Sequence, residues 1–161
     1  MTGALDRLMA LEDIRQLKAR YCRCVDTKDW AGLASVFAPD AIFHHRFGGS
    51  VRDPWTGQWK PPLPEPRISH GRAAIVARIR SVVENIHTLH QCHMPEIALI
   101  DIFNARGVWA MSDELRDRDG QLILRGAGHY HESYVSSPSG WVIATAELRR
   151  LSIVRGDGHP D

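Results

Sequence analysis

Residues able to do chemistry gather at a few places along this chain. In HTLHQCH, three histidines and a cysteine (His87, His90, Cys92 and His93) fall within seven positions. Imidazole and thiolate so spaced could ligate a metal ion, or a single imidazole could act as a general base near neutral pH. In GVWAMSDEL, Asp113 falls in phase with Trp109, Met111 and Leu115; in WVIATAELRR, Arg150 falls in phase with Val142, Ala144, Ala146 and Leu148. An unpaired charge on an apolar stripe is costly to bury, so each of these implies a partner or a chemical task. Asp26, in CRCVDTKDW, closes a long apolar-periodic segment that also carries Tyr21.

The elements that must position these groups follow from periodicity. Leu5, Leu8, Leu11, Ile14, Leu17, Tyr21 and Cys24 recur at helical steps and predict a first helix from about Ala4 to Val25, broken at Asp26-Thr27-Lys28-Asp29. Trp30, Leu33, Val36 and Phe37 predict a short second helix stopped by Pro39-Asp40, and Ala41-Ile42-Phe43 a first short strand. From 44 to 69 the density of proline and glycine forbids a long regular element. That loop, carrying Trp55 and Trp59 as anchors, is expected to be a lid or an oligomer contact. Gly71 to Ile86 returns to helical spacing. Four strand-like runs follow, at about Leu89–Ile102, Gly107–Arg116, Leu122–Ser136 and Trp141–Ile153, with turns at Asn104–Gly107, Asp119-Gly120 and Ser137–Gly140. Helices first and an antiparallel meander afterwards define an α+β domain with helices on one face of a curved sheet.

Strand alternation divides the histidine cluster. His90, Cys92 and Met94 are expected on one face and Gln91 and His93 on the other, while His87 falls at the end of the third helix. One shared metal ion would then need a bulge, and no metal site is expected. Leu151 and Ile153, on the opposite phase from Arg150, imply a bulge in the last strand. The concave face of the sheet would then collect His90, Asp113 and Arg150, with Tyr21 and Asp26 entering from the first helix. Trp109, Met111 and Cys92 share those strand faces and are expected to contact a substrate, with His44 and His45 at the pocket mouth. His129 and His131 read as a surface pair.

Composition sets the outer bounds. At 161 residues, 43% hydrophobic and 24% charged, the chain fits one domain (1–161, with a tail from 155). A net charge of +1 gives no reason to expect nucleic acid or membrane as partner, and no apolar run is long enough to span a bilayer. The three cysteines, Cys22, Cys24 and Cys92, match no disulfide framework. They point to reduced, structural thiols in a cytoplasmic protein.

The runs LEDIRQLKARYCRCVDTKDWAGLASVFAPDAIF, GRAAIVARI, HQCHMPEIALID and GVWAMSDEL resemble the SnoaL-like branch of the nuclear transport factor 2-like superfamily over essentially the whole chain, outside the Pro-rich loop. The resemblance implies a cone-shaped barrel: a highly curved, largely antiparallel sheet with about three helices closing a deep pocket, commonly as homodimers or homotrimers. Within the superfamily the chain is most similar to dehydratases of the bile acid 7α-dehydratase type, and more distantly to scytalone dehydratase and hexachlorocyclohexane dehydrochlorinase. On that likeness Asp26 and His90 fall on the catalytic pair, Tyr21, Asp113 and Arg150 complete the set, and Tyr130 keeps a family tyrosine spacing. The implied activity is cofactor-free elimination of water from a hydroxylated, hydrophobic ring-containing carbonyl compound of steroid or polyketide type. A double-bond isomerase or polyketide cyclase, a small-molecule binder and a dioxygenase small subunit are the alternatives within the same fold.

Overall fold

A computed structural model of the chain describes residues 3–45, 47–65 and 67–156. Helix α1 (Ala4–Asp26) is followed by α2 (Trp30–Ser35), strands β1 (Phe37–His44), β2 (Val51–Arg52), β3 (Trp59–Lys60) and β4 (Ile68–His70), helix α3 (Arg72–Val83), and four long strands. These are β5 (His87–Leu99), β6 (Asn104–Arg116), β7 (Leu122–Ser137) and β8 (Gly140–Arg155). All eight strands join one mixed sheet, antiparallel from β5 through β8, with β1 and β2 added parallel to β8. The α+β architecture is as expected. The sheet curls around α1, α2 and α3 without closing, so it is a cone open at its edges rather than a barrel.

Local sequence explains where α1 stops. Thr27 caps the helix, Lys28 takes a left-handed backbone (φ 61°), and the Asp29 carboxylate accepts the Gly32 N–H at 2.8 Å to start α2. The buried face of α1 runs Ala10, Ile14, Leu17, Tyr21, Cys24 and Val25. Leu5 and Leu8, expected on that face, are exposed, and the buried face of the helix begins only at Ala10.

Several boundaries differ from expectation. Pro39 and Asp40 lie inside β1, tolerated because its pairing with β8 is irregular between Phe37 and Ile42. Asn104 to Gly107 belong to β6, and the turn falls earlier, where Asp101 Oδ1 accepts the Phe103 and Asn104 backbone N–H groups. The 44–69 segment contains three short strands that its proline content hid. Val51 pairs with Arg150, and Trp59 packs on Phe47, so this loop is anchored to the sheet, whereas Trp55 is fully exposed at its tip. The expected tail begins within β8 at Arg155, continues through Gly156, whose N–H donates to the Ile123 carbonyl at 3.2 Å, and beyond that lies outside the described residues.

Two bulges aim the charged side chains. In β5 the register shifts after His93, turning Met94 outward with φ 44° instead of inward beside His90. In β8 Ala127 pairs with Ser152 and Gly128 with Arg150, leaving Leu151 as the extra residue. That is the bulge predicted from the phase change, and it lets Arg150 and Ile153 both face inward.

Candidate active site

His90, Asp113 and Gly126 stand side by side in one row across β5, β6 and β7, all on the concave face. Because Gly126 has no side chain, Arg150 reaches over it from β8 and grips Asp113 with two hydrogen bonds of 2.8 and 2.6 Å. A β-carbon at Gly126 would lie 1.8 Å from Arg150 Nη1. The third guanidinium donor, Nε, goes to the carbonyl of Gly48 at 2.7 Å, tying the long loop to the same pair.

From the end of α1, Asp26 meets His90. The His90 Nδ1 lies 2.7 Å from Asp26 Oδ1, the His90 backbone N–H donates to Oδ2 at 2.9 Å, and the Thr88 hydroxyl donates to Oδ1 at 2.8 Å. Lys28 donates in turn to Thr88 at 3.0 Å. Burial pushes the Asp26 carboxyl up, but the His90 ring, the His90 backbone and Thr88 together outweigh it and hold the group below its ordinary value. An ionised Asp26 accepts only, so the ring carries its proton on Nδ1 and Nε2 is left with a free lone pair. The ring is 9% exposed, and Nε2 has no partner among the described residues.

The row opens onto a cavity of about 300 Å³, toward the lower end of the size range for ligand pockets. Val25, Phe43, Ile79, Val82, Val83, Leu115 and Leu148 form its apolar walls; Tyr21, Tyr130, His90, Asp113 and Arg150 supply its polar groups, and His44, His45, Gly48, Gly49 and Arg78 complete the lining. The Tyr21 and Tyr130 hydroxyls approach to 3.5 Å with their rings edge to face. Burial, above all, raises both phenols, so they remain neutral donors at physiological pH.

Of the residues expected from sequence, Tyr21, His90, Asp113, Arg150, His44 and Tyr130 line this cavity, and Asp26 stands behind His90. Trp109, Met111 and Cys92 do not line it. Trp109 donates its indole N–H to the Tyr134 hydroxyl at 2.6 Å, Met111 is buried in the core, and the Cys92 sulfur lies 3.6 Å from that of Cys22. Cys92 and Trp109 instead border an open groove between α1 and β5. His87 and His93 are exposed, and among the described residues no group of three His, Cys, Asp or Glu could hold a metal ion.

Sequence reasoning missed a second buried charge pair, Lys18–Glu132, both 1% exposed and 2.5 Å apart. Its signal was present. Lys18 stands four residues after Ile14 and three before Tyr21 on the buried face of α1, and Glu132 alternates in phase with Tyr130 and Tyr134. His45, expected with His44 at the pocket mouth, lines the cavity, whereas Arg78 and Thr88 were missed, and for these the sequence carries no periodic signal.

The comparisons with known proteins bear on the fold and the family. The profile of the SnoaL-like domain matches residues 6–147. A probable cyclase, FGR4, of Gibberella zeae is 26% identical over 149 residues, covering 86% of this chain and 89% of that protein. A solved structure of a candidate scytalone dehydratase from Novosphingobium aromaticivorans superposes with a TM-score of 0.74 at 16% identity, over 95% of this chain and 91% of the other. A hexachlorocyclohexane dehydrochlorinase, LinA-type3, from Novosphingobium barchaimii gives 0.70 at 18% identity, over 95% and 94%. Because that profile spans most of the sequence, this chain belongs to the SnoaL-like domain family.

Proposed function

We propose that the protein is a cofactor-free carbon–oxygen lyase that eliminates water from a hydroxylated, ring-containing carbonyl compound of steroid or polyketide type. The observation that carries this reading is the His90 imidazole, fixed by an ionised Asp26 through Nδ1 while Nε2 remains unpartnered beside an apolar cavity. Names among the similar proteins, a cyclase and a dehydrochlorinase, support small-molecule conversion at a site of this kind.

In this mechanism Nε2 of His90 removes a proton from carbon adjacent to, or conjugated with, the carbonyl. Asp26 stabilises the imidazolium that forms, as a carboxylate does for the histidine of a hydrolytic triad. The C–H electron pair moves into the enolate, and Tyr21 or Tyr130, neutral and buried, donates to the oxygen where charge develops. The enolate then collapses, the carbon–oxygen bond breaks, and the hydroxyl departs as water with the proton carried by His90.

Asp113 is poorly suited to protonate the leaving group. Both of its oxygens accept hydrogen bonds from Arg150, and all three guanidinium nitrogens of Arg150 are engaged by Asp113 and Gly48. The pair therefore shapes the cavity floor and clamps the loop. Among the described residues the cavity lining holds no carboxylic acid besides Asp113, which favours a second reading, isomerisation or cyclisation, needing base and enolate donor alone. Incubation with hydroxylated steroid and polyketide-like ketones separates the two: elimination gives a new enone band and a product lighter by one water, isomerisation gives no mass change. A protein that turns over at wild-type rate after His90→Ala would remove the base assignment from either reading. Binding without turnover, indifferent to Asp26→Asn, would instead support a non-catalytic binder.

A further inference from the structure

We infer that the substrate carries a carboxylate, held at the rim of the cavity by Arg78. This rests on reading the cavity as the substrate site and deepens it by naming a substrate class. Arg78 projects from α3, is exposed along part of its length, and contributes to the same lining as His90. Its neighbours in charge are already matched: Arg80 pairs with Glu84 at 2.9 Å, and Arg150 is gripped by Asp113. Arg78 has no acidic partner among the described residues.

The lining as a whole points the same way. Its single carboxylate, Asp113, is neutralised by Arg150, and the remaining polar lining consists of tyrosine hydroxyls and histidines. With neutral histidines the described lining therefore carries one uncompensated positive charge, at its rim. The charge is felt locally. The His45 ring, stacked on Phe43 and 2.9 Å from the Ser69 hydroxyl, is lowered to about 4, first by burial and then by Arg78 and His44. A guanidinium beside an apolar chamber, with a protonation-resistant imidazole next to it, suits an amphipathic ligand: a hydrocarbon ring system inside and a planar anion outside, which the guanidinium fork can hold in bidentate fashion.

Two unreactive probes test this, 2-naphthoate and its neutral isostere 2-naphthamide, with affinities measured calorimetrically at low salt. The wild-type protein is expected to bind the carboxylate roughly 5-fold more tightly. The preference should vanish in Arg78→Gln and persist in part in Arg78→Lys. A readout that a structural role for Arg78 would not move is the His45 ring titration followed by NMR. Its midpoint should rise when naphthoate occupies the rim and stay in place with naphthamide. Equal affinities in the wild type, or a preference that survives Arg78→Gln, would overturn the inference. Neither probe has a leaving hydroxyl, so failure of the elimination reading leaves the preference standing, and loss of the preference leaves elimination to its own test.

Discussion

Two buried polar assemblies share the concave face of one sheet, and they differ in what each leaves uncommitted. In the first, Glu132 accepts from Lys18 through one oxygen and from the Tyr134 hydroxyl through the other, and Tyr134 accepts from Trp109. The Lys18 ammonium also lies 3.5 Å from the Tyr130 ring centroid and 4.4 Å from that of Tyr21. Each of these side chains faces another, and none but Tyr21 and Tyr130 borders the cavity. In the second, Asp26 is saturated with donors, yet the histidine it holds keeps one nitrogen free beside an open volume. Charge is the more deeply buried in the first, where Lys18 and Glu132 are 1% exposed against 19% for the Asp26 side chain. A free lone pair next to space is what separates chemistry from architecture.

The sharpest way to break this comparison is to exchange the expected phenotypes. His90→Ala should lower turnover by about 10²–10⁴-fold while the unfolding midpoint stays near wild type by calorimetry. Lys18→Met should do the reverse. Stranding Glu132 without its cation should reduce stability by about 3–5 kcal/mol in urea titrations, with turnover of the folded fraction little changed. If Lys18→Met instead abolished turnover in protein shown to be folded, the first assembly would belong to the chemistry. The double substitution Lys18→Met with Glu132→Leu should recover most of the loss, since replacing both members of a buried pair by apolar groups is far milder than removing one.

A smaller effect is expected at the shared row. Gly126→Ala would press a methyl into Arg150 and Asp113, and overpacking of this kind costs about 1–3 kcal/mol. Retained stability together with an intact Asp113–Arg150 pair in a crystal structure would show that the strand can shift to admit it. The smallest effect concerns His45. Its ring titrates near 4 when folded against 6.5 in the free side chain. Between those values the unfolded chain binds a proton that the folded protein does not, so stability rises with pH across the window. The contribution is fully present above 6.5 and is lost as pH falls toward 4. His45→Asn should flatten that portion of a midpoint-against-pH curve. Asp26 is depressed as well, but in a lower window: its carboxyl contributes stability above its ordinary 3.8 and loses it only on further acidification. Deeper acid loss in the His45→Asn protein should therefore be unchanged.

The site was more legible in the sequence than the segments that frame it. Strand alternation alone exposed Asp113 and Arg150, and the phase change at Leu151 revealed the bulge that lets Arg150 turn inward. The same rule placed Met94 inward, and there it failed: a bulge at Met94-Pro95 in β5 leaves no phase change among neighbouring apolar residues to read. Trp109 and Met111 were correctly given an inward face, but facing inward does not decide between cavity and core. That depends on what packs against them: Trp109 is engaged by the Tyr134 hydroxyl, and Met111 is buried among core residues. The strands within 51–70 were invisible because two- and three-residue strands carry no periodicity; their pairing with β8 and β1 is a tertiary fact. Arg78 and His45 reach the cavity from separate elements, and no local pattern brings them together.

Gly126 contributes no atom beyond its backbone to the cavity, yet the Asp113–Arg150 grip passes through the volume its missing side chain leaves. Ancestry should record that dependence. In relatives that keep both charged partners the position should admit glycine alone, whereas a lineage that loses either partner is released to accept alanine or serine there. A hydrogen atom in place of a methyl thus becomes a marker, readable by covariation, for which members of the family still maintain this floor.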